Sequence, residues 1–276
     1  MAPHDVTTVL YYFDDDKPGR PTKPQETVIH DIRGNESQYT LDTTGFQIFK
    51  HSSKEKDFLD DEQIKRSYYP EMEELLKNIT GASKVFVYDH TIRGPSKSCI
   101  DPNGSGKPPS HRRPIHWVHV DTSYIAGPKL VSRELPSEAH TLLKGRYQVI
   151  NVWRPIRTIL KDPLAVADAN SVPDSDLVPA KLNYSDSGGR NREHKPDEKG
   201  KVFSVRASTE HKWYYPYKQS PEEVLLIKCF DSKMDGRARR APHTAFVNSE
   251  HEDMPRRESI EVRTLVFHPD DIERAE

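Results

Sequence analysis

Cysteine is scarce: only Cys99 and Cys229 occur in 276 residues. Two thiols cannot build a disulfide framework, and no C-x-x-C pair offers a zinc knuckle or a redox couple, so both are expected to be reduced and buried. Long apolar runs are missing as well. No segment approaches the ~18 residues of a membrane span, and the opening MAPHDVTTVLYYFDDDKPGRP lacks a basic stretch leading into an apolar one. The expectation is a soluble, cytoplasmic chain without a membrane partner, in which the N-x-S/T sequons at Asn35, Asn78, Asn103 and Asn183 have no role. An excess of one charge sign is also absent. Lys and Arg number 41 against 43 Asp and Glu, a formal net charge of −2, and the charges are interspersed. Nucleic-acid binders carry a basic domain or stripe, so no nucleic-acid partner is expected. Hydrophobic residues make up a lean 34%, whereas 22 Pro and 13 Gly punctuate the backbone, which favours many short elements over a helix bundle. What the chain has in surplus is histidine, 13 in all, and that directs attention to metal-ligand spacing.

The length allows one large domain or two small ones. The first 60 residues alternate short apolar patches with turns and read as strands and loops. Ile64, Tyr68, Met72, Leu75 and Ile79 then recur at helical spacing over 60–81, with Gly81 as the stop. Pro70 is expected to break this region and start a second helix as its first residue. KVFVYDH (84–90) reads as a strand, and the Gly/Pro/Ser-rich stretch from Arg93 to Pro114 as a loop able to fold over a site. Beyond residue 115 the pattern is mostly β. Strands are expected at 115–121, 146–153, 202–207, 211–216, 224–230, 243–248 and 259–267, with a short helix at 135–145 and an exposed loop at 183–201. Short strands without a βαβ rhythm imply a mainly β fold with flanking helices, a barrel or a double-sheet sandwich.

His119-Val120-Asp121 places one imidazole and one carboxylate at i and i+2, hence on one face of a strand. Those are two ligands of a 2-His-1-carboxylate facial triad, which holds non-heme Fe(II) by one face and leaves the other open. Taken alone, H-x-D reads first as a hydrogen-bonded structural pair. A third ligand should be a histidine far downstream on a late strand, and His243, in Pro242-His243-Thr244-Ala245-Phe246, fits. Arg257 and Ser259 follow. A metal-bound keto acid needs such an arginine for its far carboxylate, which suits a buried, bidentate cation. Arg257, Ser259, Glu261 and Arg263 share one parity, so four polar groups either face solvent or line a polar pocket.

Taken in order, H-V-D-T-S, N-V-W-R-P-I (151–156), K-x-F-D-S (228–232), P-H-T-A-F and R-E-S-I-E-V-R resemble the hydroxylase/desaturase family of fungal and bacterial secondary metabolism. That family includes meroterpenoid endoperoxide-forming enzymes and a subunit of the cephamycin methoxylation system. The resemblance spans about residues 45–270. It implies a double-stranded β-helix (jelly-roll, cupin-like) core, Fe(II), 2-oxoglutarate as cosubstrate and O2. By the same resemblance His119, Asp121 and His243 match the iron ligands, and Arg257 with Ser259 matches the keto-acid anchor, with Arg263 as its rival. The organisation it suggests is one oxygenase domain over 1–276, with strands, helices and a lid-like loop over 1–110 and the jelly-roll core over 111–270. The expected activity is oxidation of a small-molecule natural product by hydroxylation, desaturation, cyclisation or peroxide formation. The alternative is a catalytically idle jelly-roll subunit of a biosynthetic complex, and a homodimer is compatible with either.

His116 lies on the strand face opposite His119 and is expected to pack outward. His90 and His111 are candidates to touch substrate. Asn151 and Trp153 share a face that Arg154 does not, and they can be substrate contacts or core. Trp213, Tyr214 and Tyr215 can form a substrate platform or serve as sheet aromatics. Arg237, Arg239 and Arg240 read as a solvated loop that could steer an acidic substrate. Gly104-Ser105-Gly106-Lys107 is not a phosphate loop, since its glycine spacing is wrong and Pro108 stands where Ser or Thr is needed.

Overall fold

A computed structural model describes residues 4–17, 21–94, 113–180 and 200–271. Thirteen strands among them form two sheets. The larger is ordered β1 (Val6–Tyr12), β2 (Lys23–Asp31), β10 (Trp213–Tyr215), β7 (Leu164–Ala167), β12 (His243–Ala245), β5 (His119–Val120), β9 (Val202–Val205) and β8 (Leu177–Ala180). The smaller is β3 (Phe46–Lys50), β11 (Glu223–Asp231), β6 (Arg146–Pro155), β13 (Ser259–His268) and β4 (Lys84–Arg93). One core cluster draws Leu10, Ile29, Val166 and Trp213 from the first sheet and Val149 and Leu265 from the second, so the sheets pack face to face as a jelly roll. Strands from both sides of residue 110 enter both sheets.

Why β6 is buried along its whole length follows from its two faces. Tyr147, Val149 and Trp153 face the inter-sheet core, whereas Ile150 and Val152 join Tyr68, Met72 and Leu76 in a second cluster beneath a helical layer. That layer consists of α1 (Asp61–Gln63), a π turn (Ile64–Tyr68) and α2 (Tyr69–Thr80). Pro70 does not break it. The Tyr69 N–H bonds to the Ile64 carbonyl across a widened turn, which takes up the irregularity that proline imposes, and the chain stays helical. Gly81 ends α2 at φ 70°, a left-handed cap that suits glycine.

Several elements differ from expectation. The 115–121 strand reduces to the two residues of β5, and β9, β10 and β12 are shorter than their sequence patterns. β4 runs on to Arg93. A helix, α3 (Ala126–Glu134), occupies a stretch whose Gly-Pro pair argues against one. Pro128 falls in the first turn, where a missing N–H costs nothing, and a Cβ on Gly127 would stand 2.7 Å from the Phe230 ring. α4 (Ala139–Leu142) is the remnant of the expected 135–145 helix. β7 and β8, four residues each, are too short for periodicity to reveal. His111, the Gly104–Lys107 stretch, Cys99 and most of the two expected loops lie outside the described residues. No helix among the described residues is long and apolar enough to cross a membrane.

Lys228, fully buried, anchors the far end of β11. Its Nζ donates to Asp231 Oδ2 at 2.8 Å, to Asp42 Oδ1 at 2.8 Å and to the Ala238 carbonyl at 2.9 Å, and Arg146 forks onto both Asp231 oxygens. Burial opposes ionisation of Asp231, but Arg146 and Lys228 outweigh it and hold the carboxyl below its ordinary range. Lys228→Met should therefore destabilise the fold by about 3 kcal/mol, a fall in Tm of roughly 6–12 °C at pH 7. Because the folded pKa of Asp231 lies below its unfolded value, the network contributes in full above roughly pH 4 and fades as pH falls through the folded value. Thermal melts of both proteins should converge on acidification, and a gap that stays constant down to pH 3 would contradict this account.

Candidate active site

β5 and β12 are adjacent, and His119 and His243 are direct cross-strand partners. Their ring centroids lie 4.5 Å apart. His119 Nδ1 meets the Trp117 carbonyl at 2.8 Å, and His243 Nδ1 meets the Ala241 carbonyl at 3.2 Å. A carbonyl can only accept, so each Nδ1 carries a hydrogen and each Nε2 is the ring nitrogen left to face Asp121. Asp121, just past β5, turns Oδ1 towards both, 3.4 Å from His119 Nε2 and 3.9 Å from His243 Nε2. All three donor atoms lie within 4.8 Å of one another. Burial, with His119 beside it, pushes His243 down to about 4, so its ring is neutral at pH 7. Burial disfavours the Asp121 carboxylate, but His119, Arg263 and His243 together hold it well below the usual range. Two imidazoles and one carboxylate on one side of a cavity suit a divalent transition metal, and the Nδ1 bonds are the outer contacts such ligands need.

The opposing wall comes from the smaller sheet. β13 aligns Ser259, Glu261 and Arg263 with Pro155, Trp153 and Asn151 of β6 and with Arg93, Thr91 and Asp89 of β4. Below Arg263 the inward residues of β13 become apolar, with Leu265 and Phe267 in the core. The shared parity of residues 259–263 thus builds a polar pocket rather than a solvated face. Arg93, Trp153, Arg257, Glu261 and Arg263 line one cavity with the His119, Asp121 and His243 side chains, and Ile115, Leu164 and Ala245 close it with apolar surface.

The two rival arginines differ sharply in their partners. Arg263 is engaged by Asp121, Asp89, Thr91 and Glu261. Arg257, 5% exposed, donates from Nη1 to the Asp162 carbonyl at 2.8 Å and lies over the Trp153 ring, and its Nε has no partner. Burial and then Arg93 push the guanidinium down to about 9, so it stays charged at neutral pH but poorly compensated. The buried hydroxyl of Ser259 is also without a partner. A buried cation and a buried hydroxyl, both with unused hydrogen-bonding capacity, have the chemistry that suits a carboxylate.

Several sequence-derived candidates fall elsewhere. His90 faces the helical layer, where its Nδ1 meets the Tyr69 hydroxyl at 2.7 Å and its Nε2 meets Asp61 at 3.2 Å. Trp213 is core, donating from Nε1 to the Tyr12 hydroxyl at 2.9 Å, and Tyr214 packs against Tyr39 and Phe46. None of these three lines the cavity. Asn151 and Trp153 do face the site: Asn151 Nδ2 donates to Asp121 Oδ2 at 2.8 Å. Arg154 points away and forks onto Tyr68 and His51. His116 pairs with Asp162 at 3.2 Å and takes no part in the triad. The basic cluster is not a solvated loop: Arg240 is buried on carbonyls of Ala169 and Val172, Arg239 covers the Tyr124 ring, and Arg237 pairs with Asp235 and Asp42. Arg93 escaped the sequence reading, although the polar alternation Asp89, Thr91, Arg93 was its signal.

Comparison with known proteins agrees with this geometry. A family model described as "Oxidoreductase/YMDC permease-like domain" matches residues 5–267. The hydroxylase/desaturase efuI of Hormonema carpetanum is 39% identical over 251 residues, covering 89% of this chain and 84% of that protein. The alpha-ketoglutarate-dependent dioxygenase phiK of a fungal species is 36% identical over 86% of this chain and 82% of its own length. A solved structure of the iron and alpha-ketoglutarate-dependent endoperoxidase NvfI superposes with a TM-score of 0.75 at 29% identity, covering 95% of this chain and 96% of that one. The chain belongs to this family of fungal hydroxylase/desaturases and 2-oxoglutarate-dependent dioxygenases.

Proposed function

We propose that the chain is an Fe(II)- and 2-oxoglutarate-dependent oxygenase of a small natural-product intermediate, with His119, Asp121 and His243 as iron ligands and Arg257 with Ser259 holding the far carboxylate of the keto acid. The observation that carries this reading is that three converging donor atoms share one cavity with the buried guanidinium of Arg257, whose Nε has no partner. Iron bound there, with 2-oxoglutarate and O2, supplies the oxidising power to remove hydrogen from an unactivated carbon, with succinate and CO2 as coproducts. The chain's own residues do the rest. The Nδ1 bonds to Trp117 and Ala241 fix the imidazoles with Nε2 towards the cavity, Arg257 orients the keto acid through its fork, and Ile115, Leu164 and Ala245 exclude water around the substrate carbon. Arg263, with four partners of its own, is poorly suited to bind the cosubstrate. An idle binding subunit would need neither imidazoles fixed by Nδ1 bonds nor a poorly compensated buried cation.

Anaerobic titration of the full-length protein with Fe(II) and 2-oxoglutarate tests the reading. A weak visible absorption band is expected only when both are present, and succinate should form once O2 is admitted. Absence of the band and of iron-dependent succinate would overturn it.

A further inference from the structure

We infer that Asn151 and Arg263 are positioning residues that together pin Oδ2 of Asp121 and leave Oδ1 as the one carboxylate atom offered to the metal, an inference that rests on the iron-binding reading above. Asn151 Nδ2 donates to Oδ2 at 2.8 Å and Arg263 Nε approaches the same atom at 3.4 Å, whereas both histidine Nε2 atoms face Oδ1. A carboxylate with one oxygen held this way binds through the other alone. The Asn151 amide cannot turn over, because its oxygen would then meet a carboxylate oxygen. That oxygen is itself buried and without a partner. Arg263 cannot swing away either, since Asp89, Thr91 and Glu261 occupy the rest of its fork.

The sheet is built around this pair. Asn151 and Arg263 are cross-strand partners, in one row with Ile227 of β11 and Asp89 of β4. Past that row the register shifts on both sides, at once on β4 and one pair further on β11. β4 bulges at Tyr88, between the pairs Arg263–Asp89 and Thr264–Val87, and β11 bulges at Cys229, between the pairs of Lys228 and Phe230 with β6. Bulges re-aim side chains beside functional sites. The β4 bulge turns Asp89, Thr91 and Arg93 inward, and the first two are what hold Arg263 still.

The test is titration of the metal-free, full-length protein with Co(II), comparing wild type with Asn151→Leu, Arg263→Met and Arg263→Lys. Affinity should fall about 10–100-fold in Asn151→Leu and Arg263→Met, with partial recovery in Arg263→Lys. The Co(II) visible spectrum should change in the weakened variants as the freed carboxylate binds through both oxygens. At saturating metal the affinity for 2-oxoglutarate should stay within about threefold of wild type, which separates positioning from cosubstrate binding. Melting of the metal-free proteins runs alongside, and Asn151→Ser, which keeps a donor and should bind metal more tightly than Asn151→Leu, stands in if the leucine variant does not fold. Co(II) affinities within twofold of wild type in the folded variants would overturn this inference alone, and a wild type that binds no metal would overturn it together with the reading beneath it.

Discussion

Asp121→Ala should form no succinate above the iron-free background, a loss of at least about 10³-fold. The bound metal contributes several kcal/mol of stabilisation to the reaction, and each 1.36 kcal/mol is a factor of ten. His243→Ala should behave alike, because its Nε2 and that of His119 are the only nitrogen donors that converge on Asp121 Oδ1 among the described residues. Fold integrity is separable from this loss. The guanidinium of Arg263 keeps Asp89, Thr91 and Glu261 when Asp121 is removed, so the metal-free variant should melt close to wild type. What should vanish is the rise in Tm on adding Mn(II), since a ligand that binds only the native state stabilises it in proportion to its occupancy. A variant that keeps both the Mn(II)-induced rise and succinate formation would remove Asp121 from the metal site.

His119 and Asp121 were legible because i and i+2 parity survives even when the strand around them shrinks to two residues. His243 was legible only as a late-strand histidine, and its pairing opposite His119 is a fact of sheet order that no local pattern encodes. The choice between Arg257 and Arg263 was not legible at all. Both carry one charge at one parity, and what separates them is partners drawn from β4 and from Asp121 just past β5, distant in sequence. His90 misled for a definable reason. Counting by two along 84–90 groups it with Phe86 and Tyr88, but the single-residue bulge at Tyr88 inverts the parity beyond it and sends His90 to the helical layer. Periodicity cannot see one extra residue. Trp213 and Tyr214 were left between two roles, because β-forming aromatics serve a core as well as a binding platform, and only the burial of Trp213 against Tyr12 decides.

Arg257→Met should raise the KM for 2-oxoglutarate by about 30- to 5,000-fold, the equivalent of the roughly 2–5 kcal/mol that a buried, charge-assisted pair contributes. Metal affinity should not follow, because Arg257 contacts Trp153 and the Asp162 carbonyl rather than any of the three donor side chains. Arg257→Lys keeps the charge but loses the planar fork, so it should fall between wild type and Met. The same change has an opposite effect on the unliganded fold. With burial and Arg93 both disfavouring the cation, and no carboxylate of the described residues paired with it, replacement by an apolar side chain of similar length should leave Tm unchanged or raise it. A variant more stable than wild type yet unable to gain stability from 2-oxoglutarate is the signature of a residue held in strain for its ligand. Arg263→Lys supplies the contrast: it should weaken metal binding and leave the response to keto acid intact. If Arg263→Lys instead raises the KM and Arg257→Met does not, the keto acid sits against Arg263, and the unused hydrogen-bonding capacity of Arg257 and Ser259 belongs to the oxidised substrate.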